Sequence, residues 1–328
     1  MSEKKVLFFE QDNRVPEFKT IVEEALPEGF SLRCWFDVPE AERGAVLADT
    51  DYFLVLGQEI TADMMKAAPR LRYIQRTGQG YDNVDIAAAK EMGLPVCNLP
   101  TGNAVAVAEH AILLPLALYR KLIHLDAETK AGKWPGGKYR TSSFEMDGKV
   151  HGFIGFGNIG RLTARRSKAF GTKIVYYDVF PAPADVEEEL GAVRLSLEEL
   201  LQTADIVSLH TPLLPSTRGM MGAEQFKLMK NTAILINTAR GGLVDEEALC
   251  DALESGEIAG AGLDTFSRDP IPAGSRILGF DNVIATPHVS AGTIDTFRKQ
   301  AAGSIEIIAA VEKGEKPRFV VNGVENAR

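Results

Sequence analysis

The chain has 328 residues, 45% of them hydrophobic and 25% charged, which is long for one hydrophobic core and suits two domains. A formal net charge of −9 argues against a nucleic-acid partner, and no stretch reaches the roughly 18 apolar residues of a membrane span. Met1–Lys5 leads straight into a strand rather than a signal-peptide core, and the three cysteines, Cys34, Cys97 and Cys250, have neither disulfide nor metal spacing, so the expected setting is cytoplasmic with buried spectator thiols.

Short apolar runs alternate with helical patterns along nearly the whole chain, the signature of parallel α/β layers. Strands are expected at Val6–Glu10, Ser31–Phe36, Tyr52–Leu56, Tyr73–Gln75 and Pro95–Cys97, with helices between them, such as Ala62–Ala68 and Val84–Glu91. None of their loops carries a dinucleotide fingerprint. A long helix is expected from Asn103, a candidate N-cap, to about Leu125. The segment Ala131–Gly137 reads as an irregular loop.

A second strand series follows, near 150–154, 172–177, 205–209, 232–237, 258–263 and 283–285. Its first loop is Gly155-Phe156-Gly157-Asn158-Ile159-Gly160, set between an apolar run and the helix-like stretch Arg161–Phe170. Gly155 serves the tight turn, Gly157 lets the backbone approach a pyrophosphate, and Gly160 packs helix on strand. The helix N-terminus then offers the phosphates free N–H groups and a positive dipole end, with the pyrophosphate over Asn158 and Ile159. The next strand ends on Asp178, placed to accept hydrogen bonds from both adenosine ribose hydroxyls and to repel a 2′-phosphate. The pattern therefore reads as NAD (NADH) and disfavours NADP.

A last helix, with Ile294, Phe297, Ala301, Ile305 and Ile308 at helical spacing, closes the chain. The expected fold class is α/β, with two Rossmann-like doubly wound parallel sheets. The dinucleotide-binding domain, 101–291, is inserted into a substrate domain formed by 1–100 and 292–328. The two crossings would act as a hinge beside a ligand cleft.

Chemistry-bearing residues gather at expected strand ends. Arg240, in Asn237-Thr238-Ala239-Arg240-Gly241-Gly242, can grip a carboxylate with a two-point fork and polarise a carbonyl, or pair with a structural acid. His288, in Thr286-Pro287-His288-Val289-Ser290-Ala291-Gly292, can carry the proton that accompanies hydride movement. Of the other histidines, His151 and His124 read as structural and His110 as a packing or hydrogen-bonding residue. His210, in His210-Thr211-Pro212, reads as lining the cofactor site without transferring protons. A histidine acid needs a carboxylate to orient it. Asp264 and Asp269 are both candidates: Asp264 ends a strand on the cofactor's nicotinamide side, and Asp269 lies on the loop beyond, where Asp-Pro is also a common turn.

These motifs together resemble the D-isomer-specific 2-hydroxyacid dehydrogenase family over nearly the full length. The matching segments are Gly78 to Asp85, Asn103 to His110, Gly155 to Gly160 with Asp178, Thr238 to Asp245, Gly262 to Pro270 and Thr286 to Thr293. The resemblance implies NAD-dependent interconversion of a 2-oxo acid and a D-2-hydroxy acid. It also implies Arg240 as carboxylate binder, Asp269 paired with His288, and His288 as proton donor. Gln79 and Gly80 would bind the substrate carboxylate through their backbone N–H groups. Asn158, Ile159, Asp178, Thr211, Thr238, Ala239 and Asp264 fall where the family contacts NAD, with Pro212 and Ala291 added as cofactor-lining positions.

The family pattern has glutamate where this chain has Asp269. The missing methylene predicts that contact with His288 needs a loop shift or a water bridge. Glyoxylate, hydroxypyruvate, pyruvate-like keto acids and 3-phosphoglycerate all fit the resemblance. Arg76, Lys138 and Arg140 are candidate phosphate contacts or plain surface charges, and Trp134 and Tyr81 shape either the substrate cleft or a subunit contact. Ending at Arg328 leaves no room for the regulatory domain of longer phosphoglycerate dehydrogenases. A homodimer built on 104–144 is expected, with no metal, nucleic-acid or membrane partner. The alternatives are an NAD-sensing co-repressor-like binding protein and a formate dehydrogenase-like enzyme.

Overall fold

In a computed structural model, residues 3–10, 16–100 and 102–327 are described. Met1 and Ser2, and Thr101 where the second domain was expected to begin, lie outside them. The chain forms two compact units, Met1–Asn103 with Gly292–Arg328, and Ala104–Ala291.

The first unit holds a parallel sheet of β1 (Lys4–Phe9), β2 (Phe30–Cys34), β3 (Tyr52–Val55), β4 (Tyr73–Arg76) and β5 (Val96–Cys97), in the order β2-β1-β3-β4-β5. Its strands are apolar throughout because both faces are covered. Leu7, Phe9, Phe53 and Ile74 pack into one buried cluster. Val6, Phe8, Tyr52 and Tyr73 face the other, which is closed by Phe297, Ile305 and Ile308 of the helix Ile294–Glu312. Phe297 stacks on Phe18 of the helix Pro16–Ala25, with ring centroids 3.8 Å apart. The carboxyl-terminal helix is thus an integral layer of the amino-terminal unit.

The second unit holds seven parallel strands: β6 (Val150–Ile154), β7 (Lys173–Tyr177), β8 (Val193–Arg194), β9 (Ile206–Leu209), β10 (Ile234–Asn237), β11 (Gly260–Leu263) and β12 (Val283–Ala285). Their order, β12-β11-β10-β9-β6-β7-β8, reverses direction at β6, so the loop after β6 opens at the switch point where α/β sheets bind ligands. The edge strand β8 spans only two residues and falls outside the strand series read from sequence.

The single helix expected from Asn103 to Leu125 is two helices, Ala104–Tyr119 and Leu122–Lys130, parted by Lys121 in a left-handed conformation (φ 52°). Asn103 does not cap the first with its side-chain oxygen, because Oδ1 is buried without a partner. That helix lies on the sheet. A Cβ at Gly262 of β11 would sit 2.9 Å from the Leu114 Cβ, so only glycine admits the helix this closely.

His151, inside β6, is fully buried and hydrogen-bonds Ser167 through Nδ1 and Ser208 through Nε2, each at 2.8 Å. Burial, helped by the nearby His210, holds its pKa well below the usual 6.5. Burial likewise lowers His210 to about 4. Both stay neutral in the folded protein while the unfolded chain takes up protons below about pH 6.5. Stability should therefore be whole above that pH and fall on acidification, by about 1.4 kcal/mol per pH unit for each histidine. Thermal unfolding between about pH 8 and about pH 5 checks this, and His151→Gln should flatten the acid slope.

Candidate active site

Parallel strands deliver their carboxyl ends to one edge of a sheet, and the second unit puts its polar residues there. From β6 come Gly155–Gly160, from β7 Asp178, from β9 His210–Pro212, from β10 Thr238–Arg240, from β11 Asp264–Asp269 and from β12 Thr286–Ala291.

The dinucleotide loop has the geometry its glycines predict. Gly155 has φ +93°, and a Cβ there would lie 2.6 Å from the His210 carbonyl carbon and 2.7 Å from the Thr211 nitrogen. A Cβ on Gly160 would meet the Gly155 oxygen at 2.5 Å, whereas one on Gly157 would meet nothing within 4 Å. The loop is closed on the protein side and open on the other. Gly157 caps the helix Asn158–Ala169 without a side-chain bond, so its first N–H groups suit an anion. Asn158 is exposed and Ile159 half-buried. Asp178 is fixed by two amides: Oδ2 accepts from Phe156 N at 2.7 Å and Oδ1 from Phe180 N at 3.2 Å.

Further along the edge, Nε2 of His210 and Oγ1 of Thr238 are buried with no partner. Orphaned polar atoms beside an open phosphate cradle fit a polar dinucleotide. Thr211, Ala239 and Ala291 are half-buried, and Pro212 is exposed.

Arg240 follows β10 in extended conformation (φ −144°, ψ 135°) and is half-buried. Asn237 shapes the turn, its Nδ2 donating to the Arg240 carbonyl and its Oδ1 accepting from Ala239 N. The next residue must be glycine, because a Cβ on Gly241 would fall 1.7 Å from the Phe266 oxygen. That close approach seats Arg240 against the loop after β11.

His288 Nδ1 bonds Asp269 Oδ2 directly at 2.8 Å. Of the two expected routes, the water bridge is not needed. Asp269 Oδ1 accepts from Phe266 N at 3.1 Å, which curls the 266–269 segment inward, so the backbone makes up for the shorter side chain. With Nδ1 engaged by a carboxylate, His288 is left with Nε2 for chemistry. Its backbone is in the left-handed region (φ 54°), a strained conformation for a side-chain-bearing residue that its surroundings must hold.

What holds it is Asp264. Its carboxylate has no solvent exposure. Oδ1 accepts from the Thr286 hydroxyl at 2.6 Å and from Val289 N at 2.8 Å, and Oδ2 from Ser290 N at 2.8 Å. The loop bearing His288 is wrapped around this one group. The Thr286 hydroxyl spends its proton on Asp264, so His110, 3.1 Å away, donates to it from Nε2. From the sequence, Asp264 was a candidate partner of the histidine and a cofactor contact, not the anchor of its loop, and Thr286 was not singled out. The available signal was a strand-end aspartate followed by a loop rich in backbone donors.

In the first unit, Gln79 is exposed and Gly80 half-buried on the loop after β4. Asn98, also missed in the sequence, donates from Nδ2 to the Gln79 carbonyl at 2.8 Å.

Residues 112–290 match the family model described as D-isomer specific 2-hydroxyacid dehydrogenase, NAD binding domain. The chain belongs to the D-isomer-specific 2-hydroxyacid dehydrogenase family. It is 37% identical over 303 residues to the glyoxylate reductase of Korarchaeum cryptofilum (strain OPF8), covering 90% of this chain and 91% of that one. It is 41% identical over 280 residues to the D-3-phosphoglycerate dehydrogenase of Methanocaldococcus jannaschii, covering 84% of this chain but 52% of that protein. Its fold matches the holo D-mandelate dehydrogenase of Rhodotorula graminis with a TM-score of 0.86 over 100% of both chains, at 25% identity. Membership of this family makes it an NAD-dependent oxidoreductase of 2-hydroxy acids. No helix among the described residues is long and apolar enough to cross a membrane.

Removing the Asp264 carboxylate leaves three donors facing a void. Asp264→Ala should cost about 2–4 kcal/mol, since each orphaned buried donor weighs roughly 1–3 kcal/mol and some recover water. Urea denaturation checks the cost.

Proposed function

We propose that this 2-hydroxyacid dehydrogenase reduces a small 2-oxo acid to the D-2-hydroxy acid, with Arg240, Asp269 and His288 as its catalytic residues. The observation that carries the reading is the direct 2.8 Å bond from His288 Nδ1 to Asp269 Oδ2, on loops that end strands of the same sheet as Arg240. Gly155, Gly157, Asn158, Ile159 and Gly160 hold a pyrophosphate, and His210, Thr211, Pro212, Thr238, Ala239 and Ala291 line the rest of the dinucleotide site, with Asp264 buried behind them. The anchored carboxylate of Asp178 supports NAD over NADP, because it can accept from ribose hydroxyls and repels a 2′-phosphate.

When bound, NADH supplies the hydride. Arg240 binds the substrate carboxylate and stabilises negative charge developing on the carbonyl oxygen. The amides of Gln79 and Gly80 are a carboxylate grip of the first unit. His288 delivers a proton to that oxygen from Nε2, while Asp269 holds the ring through Nδ1 and stabilises the charged form. In the oxidative direction, neutral His288 takes the proton back at Nε2. His210, lowered to about 4 by burial, is neutral at working pH and transfers none.

Similarity over nine-tenths of a glyoxylate reductase supports glyoxylate and hydroxypyruvate as the first substrates to try, and the half-length match to a phosphoglycerate dehydrogenase makes 3-phosphoglycerate the weaker one. NADH oxidation should be followed with glyoxylate, hydroxypyruvate, pyruvate and phenylpyruvate, with NADPH in parallel. His288→Ala should lower kcat by about 10²–10⁴-fold, the usual weight of general acid catalysis, and leave NADH affinity intact. Unchanged turnover in that variant would sink the assignment.

A homodimer accompanies this reading. Leu113, Leu122, Ile123 and Trp134 are large apolar side chains left 51%, 50%, 56% and 89% exposed on the 104–134 segment, more than a lone surface tolerates easily. Leu122→Asp with Ile123→Asp should halve the mass seen by light scattering. The three cysteines are free and buried, which supports a reducing, cytoplasmic setting.

A further inference from the structure

The loop Thr77-Gly78-Gln79-Gly80 leaves β4 with two successive carbonyls pointing the same way. The Gly78 oxygen accepts from Leu99 N at 3.1 Å, and the Gln79 oxygen accepts from Asn98 Nδ2 at 2.8 Å. In an extended chain, consecutive carbonyls would point to opposite sides. Here the residues just past β5 collect both.

A trans peptide sets its N–H opposite its C=O, and the cis bond recorded in this chain is elsewhere, at Asp269-Pro270. The Gln79 N–H belongs to the peptide whose carbonyl Leu99 holds, and the Gly80 N–H to the one Asn98 holds. Both amides are therefore turned away from the 98–99 segment, side by side. No described residue accepts a hydrogen bond from either. Successive N–H groups presented together form a concavity that binds anions.

Asn98 is suited to setting this geometry. It is only 8% exposed, and its own backbone N–H is tied to the Phe319 oxygen at 3.2 Å, so its side chain starts from a fixed point. The Gly78 peptide is held by main chain alone, which substitution cannot remove. The Gln79 peptide is held by a side chain, which substitution can.

We infer that Asn98 is a positioning residue for the substrate carboxylate: it locks the Gln79–Gly80 peptide so that the Gly80 N–H faces the anion. This rests on the reading of the 79–80 amides as a carboxylate grip. Released from Asn98, the peptide can rotate, and the Gly80 N–H is no longer aimed before substrate arrives. The cost falls on binding of the carboxylate rather than on proton or hydride transfer.

Asn98→Ala should raise KM for glyoxylate about tenfold, the weight of one pre-oriented hydrogen bond. It should leave kcat within about threefold and NADH affinity unchanged. The dissociation constant of oxalate, measured by calorimetry with NADH present, should rise by the same factor as KM. Asn98→Asp gives a signature that a filler of space would not. An ionised carboxylate cannot donate to the Gln79 carbonyl, but a protonated one can, so the KM ratio of this variant to the unaltered protein should narrow as pH falls. Unchanged KM and oxalate affinity in Asn98→Ala, with only a lower Tm, overturns the inference, as does a pH-independent ratio in Asn98→Asp. If the unaltered protein reduces no 2-oxo acid, the dehydrogenase reading fails and oxalate decides on Asn98 alone. Weaker oxalate binding in Asn98→Ala then upholds its role, and equal or absent binding ends it.

Discussion

The second unit depends on one buried carboxylate. Asp264, with no solvent exposure, gathers the Thr286 hydroxyl and the amides of Val289 and Ser290. A buried charge is tolerable only when its hydrogen bonds are complete, and here the donors all come from a single loop. The same requirement that keeps Asp264 stable therefore fixes the path of residues 286–290. His288 sits inside that span in a strained backbone conformation, which the bonds on either side of it hold in place.

From this anchor the rest of the edge follows by sheet geometry. β10, β11 and β12 are neighbours in parallel register, so Thr238, Asp264 and Thr286 emerge at the same level, with Arg240 two residues further along its loop. Gly241 lies directly on the Phe266 backbone, next to Arg240, and Asp269 turns back through the Phe266 amide to reach His288. Three loops from three strands are locked by backbone contacts rather than by long flexible side chains. That is the rigidity a proton donor and a carboxylate grip need, since small displacements of such groups are costly in rate. The helix Ala104–Tyr119 adds a second support, pressing on Gly262 from below and carrying His110 to Thr286.

The phosphate cradle obeys a different logic. There the protein supplies close packing on one side, where Gly155 and Gly160 admit no side chain, and leaves Gly157 open on the other. Buried atoms without partners at His210 and Thr238 continue the same edge. A site with unsatisfied polar groups is what a polar ligand completes, whereas the Asp264 cluster is already complete without one.

Much of this was legible in the residues themselves. Strand and helix alternation, the Gly155–Gly160 loop and the acid at 178 are local patterns with period and spacing, and these fix α/β layering, the nucleotide unit and the strand-end positions of Arg240 and His288. The break of the long helix at Lys121 was not legible, since the apolar pattern runs on through it and only the backbone conformation at that residue ends it. The direct Asp269–His288 contact was hidden because side-chain length suggests a gap that only the inward curl of the 266–269 turn closes. How Asp264 acts, and the parts played by Thr286 and Asn98, were out of reach for a related reason. Each acts through a hydrogen bond to a group on another loop, and which loops meet is decided by strand order, which no local spacing encodes. Sequence alone determined which chemistry the chain carries and at which strand ends; the tertiary structure decided which polar groups are buried together, because only folding brings distant backbone donors to one carboxylate and shuts out the water that would otherwise satisfy them.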